Sequence, residues 1–471
     1  MSLEQVELGR LRLLASERLI GSAVNFVRSV AEAEGMAASD LPRLELALEE
    51  ACLNVVKHAY PGEARAYYDV IVEERPGNLV VAVQDQGLPF NLVQPKASTG
   101  LTLMRAFADR VHFLNLGREG KRVELVKRLP FRDLESYLGG APQASQELAA
   151  DVPLELRLMR PEDTPGLARC AYRCYGFSYV RDTIYRPEMF EALLRQGLIV
   201  SAVAFTPDGE LVAHVALSRH SAEDKIADSG QAITDPRIRG RNLFTSLKQM
   251  LADEAQRLGL YGLYSESVTI HPFTQKANLK LGATETALML GFAPSTVVFR
   301  QIADLPSRSA AMVTYLRVND EPSREVYLPS HHVEILTEIY QRLGLRREIR
   351  FEEAPLLGAT VADVTMVPEL MANYVHVQQA GSDLAALGRN RDGDVVYLDL
   401  PLSHATTPGA CAVLEGEGFG LAGIVPEACP QGDVLRLQRL HSTMQPPETI
   451  HAASEWGTRL KEYVLAQRAD G

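Results

Sequence analysis

Apolar residues recur at spacings of three and four through Leu41, Leu44, Leu48, Cys52, Val55 and Ala59, and this period predicts an amphipathic helix from Asp40 to about Tyr60. Asp40 stands as its N-cap and Pro42 in its first turn. An earlier helical period runs through SERLIGSAVNFVRSVAEAEG. YYDVIVEE and NLVVAVQD, rich in β-branched residues, predict strands, followed by a helix at LTLMRAFAD and strands at VHFLNLG and KRVELVKRL. Residues 133–152, DLESYLGGAPQASQELAADV, hold Gly-Gly, Pro and small residues with no sustained period and read as a linker. Alternation restarts at LELRLMRP. Strands are expected at LIVSAVAF, LVAHVALS, QAITD and YGLYSES, and helices at PGLARCAYRCY, PEMFEALLRQG and RNLFTSLKQMLADEAQRLG. A third block opens near Met312, with strands at MVTYLRV, VVYLDLPL and FGLAGIVP and helices at HHVEILTEIYQRLG and TIHAASEWGTRLKEYVLAQ. The fold class is therefore multi-domain α/β, with no tandem repeat.

Composition narrows the function. With 471 residues the chain has room for two to four domains, and 46% hydrophobic with 23% charged residues is ordinary for a globular protein. A net charge of −12 argues against a broad nucleic-acid surface and against docking on anionic membranes. No apolar run reaches the ~18 residues needed to span a bilayer. MSLEQVELGRLRLL has no apolar signal core, so a cytoplasmic protein is expected. Cys52, Cys170, Cys174, Cys411 and Cys429 are scattered, with no C-x-x-C pair; they read as reduced, mostly buried thiols, since zinc ligation needs more partners nearby.

Glu50 and Asn54 lie one above the other on the side of the predicted helix away from the apolar stripe, flanked by Leu46 and Leu53. An acid and an amide between apolar neighbours read either as a polar surface or as a ligand-facing side. Asp85-Gln86-Gly87 follows a strand, where a carboxylate can accept from an exocyclic amine and glycine lets backbone approach a flat ring. Gly100 precedes a helix whose free N–H groups suit phosphates. In this order, over residues 1–132, these segments resemble the GHKL ATPase family, nearest its anti-sigma-factor serine kinases. The resemblance implies an α/β sandwich, a mixed sheet covered by helices, that binds ATP and magnesium. It carries E-A-x-x-N onto Glu50-Ala51-Cys52-Leu53-Asn54, followed by His58 and Tyr60: Asn54 becomes the magnesium ligand and Glu50 the general base, with His58 in the nucleotide site. Asp85 and Gly87 become the adenine contact, and Gly100-Leu101-Thr102-Leu103 the triphosphate turn. Thr102 replaces the family's second glycine, and Gly120-Lys121-Arg122 replaces its Gly-Thr, so fewer free N–H groups wrap the phosphates. The chemistry implied is phosphoryl transfer to a protein serine. GREGKR, residues 117–122, lacks P-loop spacing.

QAITDPRIRGRNLFTSLKQML places a basic turn between a strand and a long helix, where backbone amides and Arg237, Arg239 and Arg241 could hold a pyrophosphate, or merely cap the helix. The element order over residues 153–305 resembles the GNAT acyltransferases. Their pyrophosphate turn maps onto Arg237-Ile238-Arg239-Gly240-Arg241-Asn242, with Asn242 where the family has a small residue. Acetyl-CoA or another acyl-CoA is the implied cofactor and an unidentified amine the acceptor. Asn278, four residues before Gly282, stands where a general-acid Tyr is frequent and cannot protonate a thiolate. Tyr261, Tyr264, Glu266 and His271 are alternatives, each equally readable as packing or surface. Residues 306–471 resemble a degenerate second GNAT-like unit. There His331 and His332 read as structural or solvated, and Trp456, Leu460 and Tyr463 as a packing face.

The combined expectation is a regulator joining a serine-kinase-like ATP module to an acyltransferase-like module. Its partner would be a sigma factor or an anti-anti-sigma-type protein, with neither nucleic acid nor membrane involved and a homodimer allowed. Two alternatives stand beside it: a non-catalytic partner switch with the GNAT-like units as scaffold, and an N-acetyltransferase with a nucleotide-sensing domain.

Overall fold

The computed structural model describes residues 6–60, 65–75, 78–87, 103–104, 107–108, 110–116, 120–129, 148–149, 151–176, 179, 181–238, 241, 243–294, 307–367, 370–388, 394–442 and 444–467. The chain divides into two compact units, one built on residues up to 144 and the other on residues from 145 onward. Most of the expected linker, 133–152, lies outside the described residues. Among the described residues no helix is long and apolar enough to cross a membrane.

The first unit contains β1 (Val6–Leu14), α1 (Ile20–Ala33), α2 (Leu41–Asn54), β2 (Tyr67–Arg75), β3 (Asn78–Asp85), β4 (Arg110–Asn115) and β5 (Lys121–Arg128). The sheet order is β1-β2-β3-β5-β4. Every described pairing in this sheet is antiparallel. Strand β1 adds to the expected elements; its half-exposed pattern carries little periodic signal. The stripe from Leu41 to Ala59 is buried as its period requires, against Val70, Val72, Leu79 and Val81 of the sheet. Asp40 occupies the N-cap position without a side-chain capping bond, because its carboxylate lies 3.2 Å from Lys127 on β5. One wider π turn, Val55–Ala59, continues α2 and turns Lys57 and His58 to solvent.

In the second unit come β6 (Glu155–Leu158), α3 (Thr164–Tyr175), α4 (Pro187–Arg195), β7 (Ile199–Phe205), β8 (Leu211–Ser218), β9 (Ile226–Thr234), α5 (Leu243–Arg257) and β10 (Gly262–Val268). There follow α6 (Phe273–Lys280), β11 (Thr284–Ala293), β12 (Ser309–Arg317), β13 (Arg324–Tyr327), α7 (Val333–Leu343), β14 (Arg347–Arg350), β15 (Val361–Val367) and β16 (Ala372–Gln379). β17 (Val395–Pro401), α8 (Thr407–Gly416), β18 (Gly420–Cys429), β19 (Gly432–Leu440) and α9 (Glu455–Ala466) complete it. One sheet runs β15-β16-β17-β19-β18-β11-β12-β10-β9-β8-β7-β6. The segments 153–305 and 306–471 thus share a sheet, and β12 of the later segment is hydrogen-bonded between β10 and β11 of the earlier.

The strand order reads the same from both sides of its middle. β9-β10-β12-β11 is mirrored by β16-β17-β19-β18, each half has one parallel step (β9 with β10, β16 with β17), and each has a helix between its second and last strand in that order (α6, α8). The halves meet where Ala287 pairs with Gly423. Gly423 has φ +147°, and a Cβ there would lie 2.1 Å from the Thr286 carbonyl oxygen, so only glycine lets β18 come this close to β11. As expected of a packing face, Trp456 and Leu460 are buried beneath α9.

Candidate functional sites

In the first unit the end of β3 and the end of α2 are tied together. The hydroxyl of Tyr60 accepts the Gln86 N–H at 2.9 Å and donates to the Tyr67 carbonyl at 3.2 Å. A Cβ on Gly87 would stand 2.3 Å from the Ala59 carbonyl oxygen, so this turn can press against the π turn only as glycine. Asp85 is buried; its Oδ1 accepts the Gly87 N–H at 2.8 Å and lies 3.5 Å from Lys121 Nζ. Burial holds the Asp85 carboxyl above its usual range, against the opposing pull of Gly87 and Lys121.

Asn54 and Glu50 are half-buried one turn apart. The amide nitrogen of Asn54 is buried and has no hydrogen-bond partner among the described residues. Such an orphaned polar atom costs about 1–3 kcal/mol unless something polar meets it. The orphaned Asn54 donor calls for an acceptor, and the Asp85 carboxylate is an acceptor that can take a donor. His58 is exposed, while Gly100, Leu101 and Thr102 lie outside the described residues. Lys121, visible in the sequence only as a departure from Gly-Thr, is the cation beside Asp85.

In the second unit the expected pyrophosphate turn is only partly described; Arg239, Gly240 and Asn242 lie outside it. The Arg237 guanidinium points at acids: 2.9 Å to Asp235 Oδ1 and 2.8 Å to Glu210 Oε1. Arg173 joins the same carboxylates. Arg241 donates to the Val152 carbonyl at 2.6 Å. Asn278 is enclosed under α6. Its Oδ1 accepts from Lys248 Nζ at 2.7 Å, and its amide donates to Ser267 and Thr314 at 3.1 Å each. Neither described arginine of the turn, nor Asn278, presents a side chain unengaged by protein.

A different cluster gathers where the two halves meet. Glu266, Val313, Ala287, Gly423, Arg436 and Asp399 form one continuous row of paired residues across six strands. Directly paired residues share a face. Glu266 and Arg436 are four strand spacings apart, about 19 Å along a flat sheet. Their side chains nevertheless approach to 3.9 Å, so the sheet curls around this face. Arg436 grips Asp399 through two bonds of 2.7 and 2.8 Å, and Tyr264, Tyr374 and Asp228 face the same basin. Burial and the neighbouring Asp228 push the Glu266 carboxyl up to about 7, in spite of Arg436 and Arg181. Of these residues only Tyr264 and Glu266 are candidates on sequence grounds. Asp399 and Arg436 carried a signal too, a charge in the middle of the apolar strands VVYLDLPL and DVLRLQRL.

Residues 13–127 match the family model of the histidine kinase-like ATPase domain. This ATPase-type module takes in α2, the Asp85 turn and Lys121, and so covers the whole described part of the first candidate site. No curated protein matches the chain. Solved structures that resemble part of it include the ribosomal-protein-S18-alanine N-acetyltransferase of Escherichia coli, at 16% identity, over 36% of this chain and 97% of that one, with a TM-score of 0.29. A spermidine N-acetyltransferase from Vibrio cholerae in complex with CoA and spermine has 15% identity over 35% and 95%, with a TM-score of 0.28. An N-acetyltransferase from Staphylococcus aureus Mu50 has 15% identity over 36% and 99%, with a TM-score of 0.29.

Proposed function

We propose that the ATPase-type module binds ATP with magnesium and that the protein is a nucleotide-dependent regulator. The observation that carries this reading is the Asp85-Gly87 turn locked against the end of α2 within the matched segment, beside the orphaned Asn54 amide. In this reading Asp85 accepts from the adenine amino group, Asn54 offers its side-chain oxygen to the metal and its orphaned N–H to a phosphate oxygen, and Glu50 takes the proton of an attacking serine hydroxyl. ATP would supply the phosphoryl group; the chain supplies position, a base and a dry wall. The reading carries with it a protein partner of the sigma-factor or anti-anti-sigma kind.

A second reading concerns the later unit. β9 and β10 run parallel for only three residue pairs, ending at Asp228 opposite Tyr264, although both strands continue. Backbone N–H groups left unpaired at such a parting can stabilise an oxyanion. Glu266, two residues past the parting and close to neutral in its proton affinity, suits a base for an amine acceptor. This favours acyl transfer from an acyl-CoA at the basin.

Thermal denaturation of the full chain with ATP–magnesium, acetyl-CoA and buffer tests both. A ligand that binds only the folded state raises the melting temperature. ATP–magnesium stabilises the wild type, and Asn54→Ala and Asp85→Asn lose that shift while keeping any response to acetyl-CoA. An unchanged nucleotide shift in both variants overturns the first reading; no response to any acyl-CoA overturns the second.

A further inference from the structure

Four side chains from distant parts of the second unit converge where the start of α7 meets the second half of α8. His331 and His332 close the short turn that leads into α7; Cys411 and Glu415 lie one helical turn apart on α8. One ligand atom from each lies within 4.8 Å of all the others. In a tetrahedral zinc site, with bonds of ~2.0–2.3 Å, ligand atoms stand about 3.3–3.6 Å apart. Small side-chain rotations therefore close the set around an ion.

The hydrogen bonds around His332 point the same way. The Tyr463 hydroxyl donates its one proton to the His331 carbonyl at 3.2 Å. Its oxygen also lies 2.8 Å from His332 Nδ1, and this contact fixes the orientation of the ring. The other ring nitrogen, Nε2, is buried and lies 2.7 Å from Glu415 Oε1. Nε2 and the carboxylate are thus aimed at each other, as two ligands of one ion would be. His331 Nε2 repeats the arrangement at 2.9 Å from Glu415 Oε2. A neutral imidazole N–H would satisfy the same carboxylate, but only a metal would also coordinate the Cys411 sulfur, the fourth ligand atom of the cluster. A zinc ion also balances the site: two neutral imidazoles, one thiolate and one carboxylate sum with Zn²⁺ to zero.

We propose that His331, His332, Cys411 and Glu415 hold one zinc ion that pins the start of α7 to α8, with Tyr463 of α9 orienting His332. Two borderline nitrogens, a soft sulfur and one carboxylate oxygen suit zinc over magnesium or calcium. Four protein ligands make a closed, structural site. On binding, the buried Cys411 thiol gives up its proton to solvent and its sulfur joins the metal.

The test uses the untagged full-length protein, stripped with a chelator and then titrated with zinc and, separately, with cobalt. One equivalent of zinc binds and raises the melting temperature, and cobalt produces a thiolate-to-metal charge-transfer band. Cys411→Ser loses that band and the thermal shift. Tyr463→Phe retains the band but binds zinc ~10–100-fold more weakly, as loss of an orienting partner predicts. Both variants must show native Trp456 fluorescence without metal, which separates loss of the site from loss of the fold. No charge-transfer band in the wild type, or zinc bound as tightly by Cys411→Ser as by the wild type, overturns the proposal.

Discussion

Replacing Lys248 with methionine offers a quantitative check on the interior of the second unit. Lys248 is buried beneath α5, donating to Asn278 Oδ1 at 2.7 Å and Ser265 Oγ at 2.8 Å. Burial pushes its ammonium down from 10.5 to about 7, against the pull of Asp228. The neutral amine keeps two hydrogens for the same two acceptors, so deprotonation breaks neither bond. Because the folded value is lowered, the unfolded chain binds the proton more tightly from about pH 7 to 10.5, and stability rises with pH across that window. At ~1.36 kcal/mol per unit, the gain from pH 7.5 to 9 is about 2 kcal/mol. The chain has one tryptophan, Trp456, in this unit, so urea unfolding followed by its fluorescence reports the right region. The wild type should gain about 2 kcal/mol relative to Lys248→Met over that range, whatever the offset between them at pH 7.5. Parallel pH dependences would show that Lys248 stays charged in the fold and would refute the reasoning.

Three further outcomes follow from neighbouring features. His214, enclosed between Ser201 and the Gln231 carbonyl, is pushed by burial from 6.5 to about 4. It therefore withholds about 3 kcal/mol of stability progressively as pH falls from 6.5 towards 4, and His214→Gln should flatten acid unfolding curves in that window. Asp399→Asn leaves the Arg436 guanidinium buried without its anion, and urea unfolding should report a loss of about 3–5 kcal/mol. Gly423→Ala forces a Cβ onto the Thr286 carbonyl in a strained backbone region, and should cost about 3 kcal/mol or more by the same Trp456 signal.

What could be read along the chain was local. The stripe through Leu44, Leu48 and Cys52 is a periodicity, and a period of 3.6 residues needs no knowledge of the rest of the molecule. The Asp85-Gln86-Gly87 turn was legible for the same reason: its glycine and its acceptor are neighbours in sequence. Arg237 shows where this kind of reading stops. A basic turn between strand and helix looks ready for phosphate, but Glu210, far upstream, folds onto it beside Asp235 and takes up the guanidinium. Strand β11 went unread because TETALMLGFA offers neither clean alternation nor turn signals, and its place was decided by pairing with β12 and β18. The same holds for the charges at Asp399, Arg436 and Glu266. Glu266 stood out only as one of several candidates and the other two not at all, and only the curl of the sheet brings the three together. His331, His332, Cys411 and Glu415 are the plainest case: residues some eighty positions apart carry no spacing to recognise. Coordination chemistry depends on distances in space, and those are set by how α7, α8 and α9 pack on the sheet.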